Sequence, residues 1–295
     1  MGKETTVERK VTPMSSVREP AVAGRFYPGT RAALEKAIVE SYLSPFGPGA
    51  LPDEVPDHPL DAPRVLVVPH AGYMYSGPIA ACGYAEIARR GRPAVTVILG
   101  PNHRGLTLSD TIETSGTWRT PLGDVPIESD VAHAITSVCP SLEDNAHGGR
   151  YEHALEVQVP FLQHLYGAET PIVPIMVSSH GMSALQAIAE AIAAALPGSG
   201  LIVCSTDMTH FESAIEAESQ DALALAAIEA MDPEGLAQVI RDRRISMCGW
   251  AATAVGLAAA RILDLQTCRV LRYGHSGLVS GDNSSVVAYA SALVE

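Results

Sequence analysis

Two histidines hold equivalent places in this chain. His70 follows the apolar run Val65–Val68 in RVLVVPHAGY, and His103 follows Val95–Leu99 in VTVILGPNHRG. Each run is β-branched and short enough for a buried strand, and each is stopped by Pro69 or by Gly100-Pro101. Both imidazoles are therefore expected just past the carboxyl end of a strand, where open α/β sheets bind ligands. LIVCSTDMTHF repeats the arrangement, with the run Leu201–Cys204 delivering Asp207 and His210, and Ile172–Val177 ends in Ser178-Ser179-His180. Four strands are expected to converge on one crevice.

A neutral imidazole is a strong ligand for first-row metals. One such histidine could simply cap or fill its turn, whereas His70 and His103 together favour ligation. Asp207 and His210 read as two further ligands, or as an acid/base pair in which the carboxylate fixes the imidazole tautomer; Asp207 capping the next helix has equal weight. Cys248, in ISMCGW, precedes an apolar helical stretch whose N–H groups would favour a thiolate, which suits a soft metal ligand or a nucleophile. Cys82, Cys139, Cys204 and Cys268 read as small buried hydrophobes. His153 opens the helix EHALEVQVPFL beside Glu152, with Glu156 on the same face; it either faces the crevice as a general base or substrate contact, or sits in a solvated first turn. His58, His133 and His164 read as surface residues. His275, Ser276, Ser280 and Asp282 fall in a glycine-rich turn, and no Gly-x-Ser-x-Gly elbow is present.

The elements that must position these groups alternate. A helix is expected over about 31–42, then a Pro/Gly/Asp-rich surface loop over 44–63. Next come strand 65–68, helix 77–90, strand 95–99, short antiparallel strands to 127 and a helix near 129–138. One helix is expected over 152–165, followed by strand 172–177, helix 183–196 and strand 201–204. Helices near 216–231, 233–243 and 250–263 precede two closing strands, 267–273 and 285–294. The alternation predicts a three-layer α/β sandwich, and the closing pair without an intervening helix makes its central sheet mixed. We expect a flexible segment over 1–17 and a single α/β domain over 18–295.

Composition narrows the functions. Hydrophobic residues make up 47% and charged residues 18% of the 295 residues, a balance that supports a sizeable core. The formal net charge of −13 would repel a phosphate backbone, so nucleic acid is not an expected partner. The polar start MGKETTVERK lacks a signal-peptide core, and the uncharged stretch after Ile245 is too short to span a bilayer, so no membrane is expected and the location is expected to be cytoplasmic. Five cysteines without a CxxC pair argue against a disulfide framework. Neither GxGxxG nor a Walker-type loop occurs.

PHAGYMYSG (69–77), GPNHRG (100–105), EHALEVQVPFL (152–162), STDMTHF (205–211), MCGW (247–250) and SGDNSSVVAYA (280–290) occur in the order of one family. In these motifs the chain resembles the Memo family, called AmmeMemoRadiSam system protein B in bacteria and archaea, from about Arg18 to Val294. The resemblance implies a fold similar to the class III extradiol dioxygenases of the LigB type, which hold non-haem Fe(II). It implies a metal pocket of His70, His103 and Cys248, with Asp207 and His210 beside it. Iron or copper is the ion it implies, and zinc would also suit two histidines and a cysteine. The ring-cleaving enzymes have a glutamate where this chain has Cys248, so the resemblance does not carry their reaction over.

The expected function is a metal-dependent, dioxygenase-like redox enzyme acting on a small substrate, with His210 oriented by Asp207 as acid/base and His153 as a further catalytic group. The family's animal relatives are described as signalling adaptors, so the rival expectation is a pocket that binds a ligand or peptide without turnover. The family name also implies partners of the radical-SAM and AMMECR types.

Overall fold

Short β-branched runs separated by alanine-rich helices bury both faces of every strand only when helices cover the sheet on two sides. The computed structural model describes residues 17–295 and has that arrangement. Its elements are β1 (Val17–Arg18), α1 (Arg31–Leu43), β2 (Arg64–Val68), α2 (Tyr73–Ala88), β3 (Thr96–Pro101), β4 (Thr111–Ile112), β5 (Thr117–Thr120), β6 (Gly123–Pro126), α3 (Ser129–Val138), β7 (Glu143–Asp144), α4 (His153–Glu156) and α5 (Val159–Tyr166). There follow β8 (Ile172–Val177), α6 (Met182–Ala195), β9 (Leu201–Ser205), β10 (His210–Glu212), α7 (Ala214–Glu229), α8 (Pro233–Arg243), α9 (Trp250–Ile262), β11 (Cys268–His275), α10 (Gly277–Ser280) and β12 (Val286–Val294).

The main sheet runs β10-β12-β2-β9-β3-β8-β4-β7, with β11 also paired to β12. Its centre, β2-β9-β3-β8, is parallel, while β12 is antiparallel to β2 and β4 antiparallel to β8. The mixed sheet and the three layers expected from the sequence are both present. Alternation along β2 sorts the core: Val65 and Val67 pack with Leu185, Ile188 and Val255 of α6 and α9, whereas Leu66 and Val68 pack with Ile38, Tyr84 and Phe161 of α1, α2 and α5.

Two boundaries differ instructively. Helix α2 starts at Tyr73 rather than near Gly77, because the Tyr75 and Ser76 N–H groups already close on the Gly72 carbonyl. The helix expected over 152–165 is two, α4 and α5, broken at Val157-Gln158. Pro160 has no N–H to bond back across that point, so the helix ends and restarts with proline in its first turn. The segment expected to be flexible, 1–17, lies outside the described residues except for Val17, which pairs with Thr117.

A second, three-stranded sheet, β1-β5-β6, ties the start of the described chain to α4. The Arg18 guanidinium lies 3.9 Å over the Trp118 ring and donates to Glu156 at 2.7 Å and to the Glu152 carbonyl at 2.8 Å. Glu156 is fully buried and also accepts from the Ala21 and Val22 N–H groups and the Tyr27 hydroxyl. A buried carboxylate this well supplied with donors is stable where an unpaired one would not be.

Helix α9 lies close against the sheet at Gly256, where a Cβ would run into the Cys204 sulfur and meet Val65 at 3.2 Å. Gly256→Ala is expected to cost about 1–3 kcal/mol through overpacking, read as a lower urea midpoint at unchanged m. Glu113 supplies a pH test: burial lifts its carboxyl to about 7, against the Trp118 N–H bond that favours the anion. An acid whose folded value exceeds its unfolded one weakens the fold as pH climbs through that interval and does so fully above it. Glu113→Gln should therefore gain on the order of 2 kcal/mol over the wild type at pH 8, with the gain fading below pH 5 in denaturation curves.

Candidate metal centre

The four parallel strands end on one edge of the sheet, and the residues just beyond those ends meet there. His70 follows β2, His103 follows β3 and Asp207 follows β9, while Cys248 stands two residues before α9, which packs on the same strands. One donor atom each from His70, His103 and Cys248 lies within 4.8 Å of the others. His70 Nε2 is 3.1 Å from Cys248 Sγ. The His70 and His103 rings meet edge-on at 5.2 Å between centroids, and His153 joins them, 5.4 Å from His70 and stacked at 4.7 Å on His103.

Hydrogen bonds determine which nitrogens are free. The Ser205 hydroxyl spends its proton on the Ala154 carbonyl at 2.6 Å and accepts from Gln158 Nε2 at 2.7 Å. It can therefore only accept from His70 Nδ1, 3.0 Å away, which leaves His70 Nε2 as a bare lone pair facing Cys248. Glu152 does the same for His103: its Oε1 lies 2.9 Å from His103 Nδ1, and its Oε2 accepts the His103 backbone N–H at 2.7 Å. Glu152 Oε1 is also 3.2 Å from His153 Nδ1. A carboxylate behind a histidine is the usual outer partner of a metal ligand. His103, Glu152 and His153 also form a possible ligand group, but the two stacked rings are nearly parallel at 17°. Near-parallel rings direct their in-plane lone pairs poorly to one ion, and within this set Glu152 is hydrogen-bonded to His103 behind the first group.

Protonation follows from burial. Burial first, and the neighbouring His103 second, push His70 down to about 3, and burial with His70 pushes His153 down to about 4. Both rings are neutral donors at physiological pH. Burial acts to raise Glu152, but the hydrogen bond and charge of His103 outweigh it and hold the carboxyl at about 2. Cys248 departs from the sequence expectation: burial, then the charge of Asp207, push its thiol well above the ordinary value, and the start of α9 does not offset them.

Asp207 departs as well. It neither caps a helix nor orients His210 by a hydrogen bond; its Oδ1 accepts the N–H groups of His70 at 2.7 Å and Ala71 at 3.3 Å, so it holds the turn that presents His70. His210 is held instead by Ser246, its Nδ1 being 3.0 Å from that carbonyl and its N–H donating to the hydroxyl at 2.8 Å. The ring is near enough for its charge to bear on Asp207 and His70. His153 lies in the cluster rather than in a solvated turn, and half-buried His164 packs on Tyr42 rather than lying free on the surface. Glu152, Ser205 and Gln158 were not singled out by their types; the one available signal was the adjacent Glu152-His153 pair, which reads equally well as an ordinary helix start. A cavity of about 360 Å³ opens beside His103 and Cys248, with Asn102, Ser178 and His180 on its walls.

An α/β protein with a histidine–cysteine donor cluster at the carboxyl edge of its sheet is the class these features define. The chain belongs to the Memo family: the model for Memo-like protein matches residues 18–293. MEMO1 family proteins of Methanopyrus kandleri, Aeropyrum pernix and Thermotoga maritima are 40%, 40% and 41% identical to it, over 93–94% of this chain and 97–99% of theirs. Among solved structures, an uncharacterized protein from Escherichia coli K12 shares the fold with a TM-score of 0.53 at 13% identity, covering 79% of this chain and 99% of that one. No helix among the described residues is long and apolar enough to cross a membrane.

Glu152→Gln replaces the His103 acceptor by a neutral amide that can also present N–H. It is expected to weaken metal binding 10–100-fold with folding retained, measured by competition against a chromophoric chelator.

Proposed function

We propose that this Memo protein binds iron or copper through His70, His103 and Cys248 and uses it in redox chemistry on a small substrate in the adjoining cavity. The observation that carries this reading is the converging trio of donors, two of them histidines whose free nitrogens are dictated by Ser205 and Glu152. The donor set fits: two imidazole nitrogens and a thiol sulfur, each giving up any proton on its ligating atom, suit either metal and leave further positions open. When bound, the ion would supply Lewis acidity and one-electron exchange.

The chain's own residues would do the rest. Asp207 fixes the His70 turn, and Glu152 keeps the proton on His103 Nδ1. The neutral His153 ring, 3.2 Å from Glu152 at Nδ1, is a proton acceptor beside the donors; His210, steadied by Ser246, is a second acid/base group. His70 is only 1% exposed, so bulk water is kept from the innermost ligand.

Metal content by mass spectrometry, on protein purified without oxygen, tests the assignment. Near-stoichiometric iron or copper is expected in the wild type and loss of it in folded Cys248→Ala and His70→Ala variants. Variants that keep their metal would sink the ligand assignment, stoichiometric zinc would remove the redox part, and a metal-free, well-folded wild type would favour a non-catalytic binding role.

A further inference from the structure

A cysteine beside a redox metal is exposed to stepwise, ultimately irreversible oxidation. Its survival depends on whether another group yields an electron first. A phenol gives up an electron readily when its proton can leave to a base in the same event, so the partner of each buried tyrosine hydroxyl matters. Tyr73 donates to the Val157 carbonyl and Tyr84 to Gln158, both feebly basic amides, while Tyr42 and Tyr166 have no hydroxyl partner. Tyr27 differs: it is 2% exposed and donates to the Glu156 carboxylate at 2.7 Å.

Two ring contacts and one peptide unit join Tyr27 to the metal donors. His70 contacts His153 at 5.4 Å, His153 contacts Phe26 at 4.5 Å, and Tyr27 is the next residue. Tyr73 N–H donates to the Phe26 carbonyl at 2.8 Å and its ring is 5.7 Å from that of Tyr27, which keeps the segment in place. Tyr273 also donates to a carboxylate, Asp221, but among the described residues neither it nor a residue bonded to it makes a ring contact with the histidines, as Phe26 does for Tyr27.

We propose that Tyr27, hydrogen-bonded to buried Glu156, is a built-in electron donor that drains oxidising equivalents from the His70–His103–Cys248 site and so spares Cys248. This rests on the metal-binding, redox reading above. Hydrogen peroxide takes up two electrons, one from the reduced site and one from the Tyr27 ring, and with two protons from solvent leaves as two waters, while the phenolic proton moves to Glu156 Oε1. A neutral tyrosyl radical and a protonated Glu156 remain. Two equivalents of a diffusible thiol return one electron to the tyrosyl ring, with the proton from Glu156, and one to the site, leaving a disulfide and two protons released to solvent.

The test adds stoichiometric hydrogen peroxide to iron- or copper-loaded protein, followed by freeze-quench electron paramagnetic resonance and mass spectrometry of Cys248. Wild type is expected to show a tyrosyl radical that narrows with ring-deuterated tyrosine. Tyr27→Phe should lose it and convert Cys248 to sulfinic and sulfonic acid several-fold faster, while Tyr273→Phe should behave as wild type. No tyrosyl signal in the wild type, a tryptophanyl signal instead, or Tyr27→Phe matching wild type overturns the inference; should that variant not fold, 3-fluorotyrosine placed at position 27, which keeps the ring and hydroxyl, is expected to add a fluorine splitting to the signal, and an unchanged signal overturns the inference. Metal content of the same samples separates the two failures. A chain that holds no metal fails the reading and takes the inference with it, whereas a loaded chain indifferent to Tyr27 fails the inference alone.

Discussion

The parallel register of β2, β9, β3 and β8 is the constraint on which the rest of the molecule depends. Val65 lies opposite Ile202 and Ile202 opposite Val97, so the strands end nearly flush and their following residues emerge at one edge. Parallel strands need both faces covered, and the two cores supply that cover. A one-residue slip in β2 would turn Val65 and Val67 toward the wrong layer and move His70 away from Ser205. The site is thus held by the same burial that stabilises the sheet.

Around that edge, polar groups are buried only where they are satisfied. Ser205 is shared among Ala154, Gln158 and His70, and Gln158 in turn reaches the Pro69 carbonyl and accepts from Tyr84. Each hydrogen in this chain has one direction open to it, so a buried hydroxyl determines which nitrogen of His70 is free. Desolvation lowers His70 and His153 and, with the charge of Asp207, raises the Cys248 thiol.

The loop bearing Glu152 and His153 does not hold itself. Arg18 binds the Gly149 and Glu152 carbonyls and pairs with Glu156, while Phe26 covers the His153 ring. Two carboxylates four residues apart therefore have separate duties. Glu152 faces the histidines, and Glu156 anchors the residues around 18–27 that close over them.

Much of this was legible in one dimension. The β-branched runs and their Pro and Gly stops located β2, β3, β8 and β9, and the apolar and capping patterns located α3 and α8, because those signals are local. The placement of His70, His103 and Cys248 just outside regular elements was legible for the same reason, and the ordered motifs pointed to the Memo family. Partnerships were not. Whether Glu152 begins an ordinary helix or backs two histidines, whether Asp207 serves His210 or the His70 turn, and whether Cys248 is ionised at a helix start or protonated by burial all depend on residues tens to more than a hundred positions away. Periodicity records which face of an element is apolar; only the packed chain decides which polar groups share the dry space between elements, since that choice is made by long-range hydrogen bonds and desolvation.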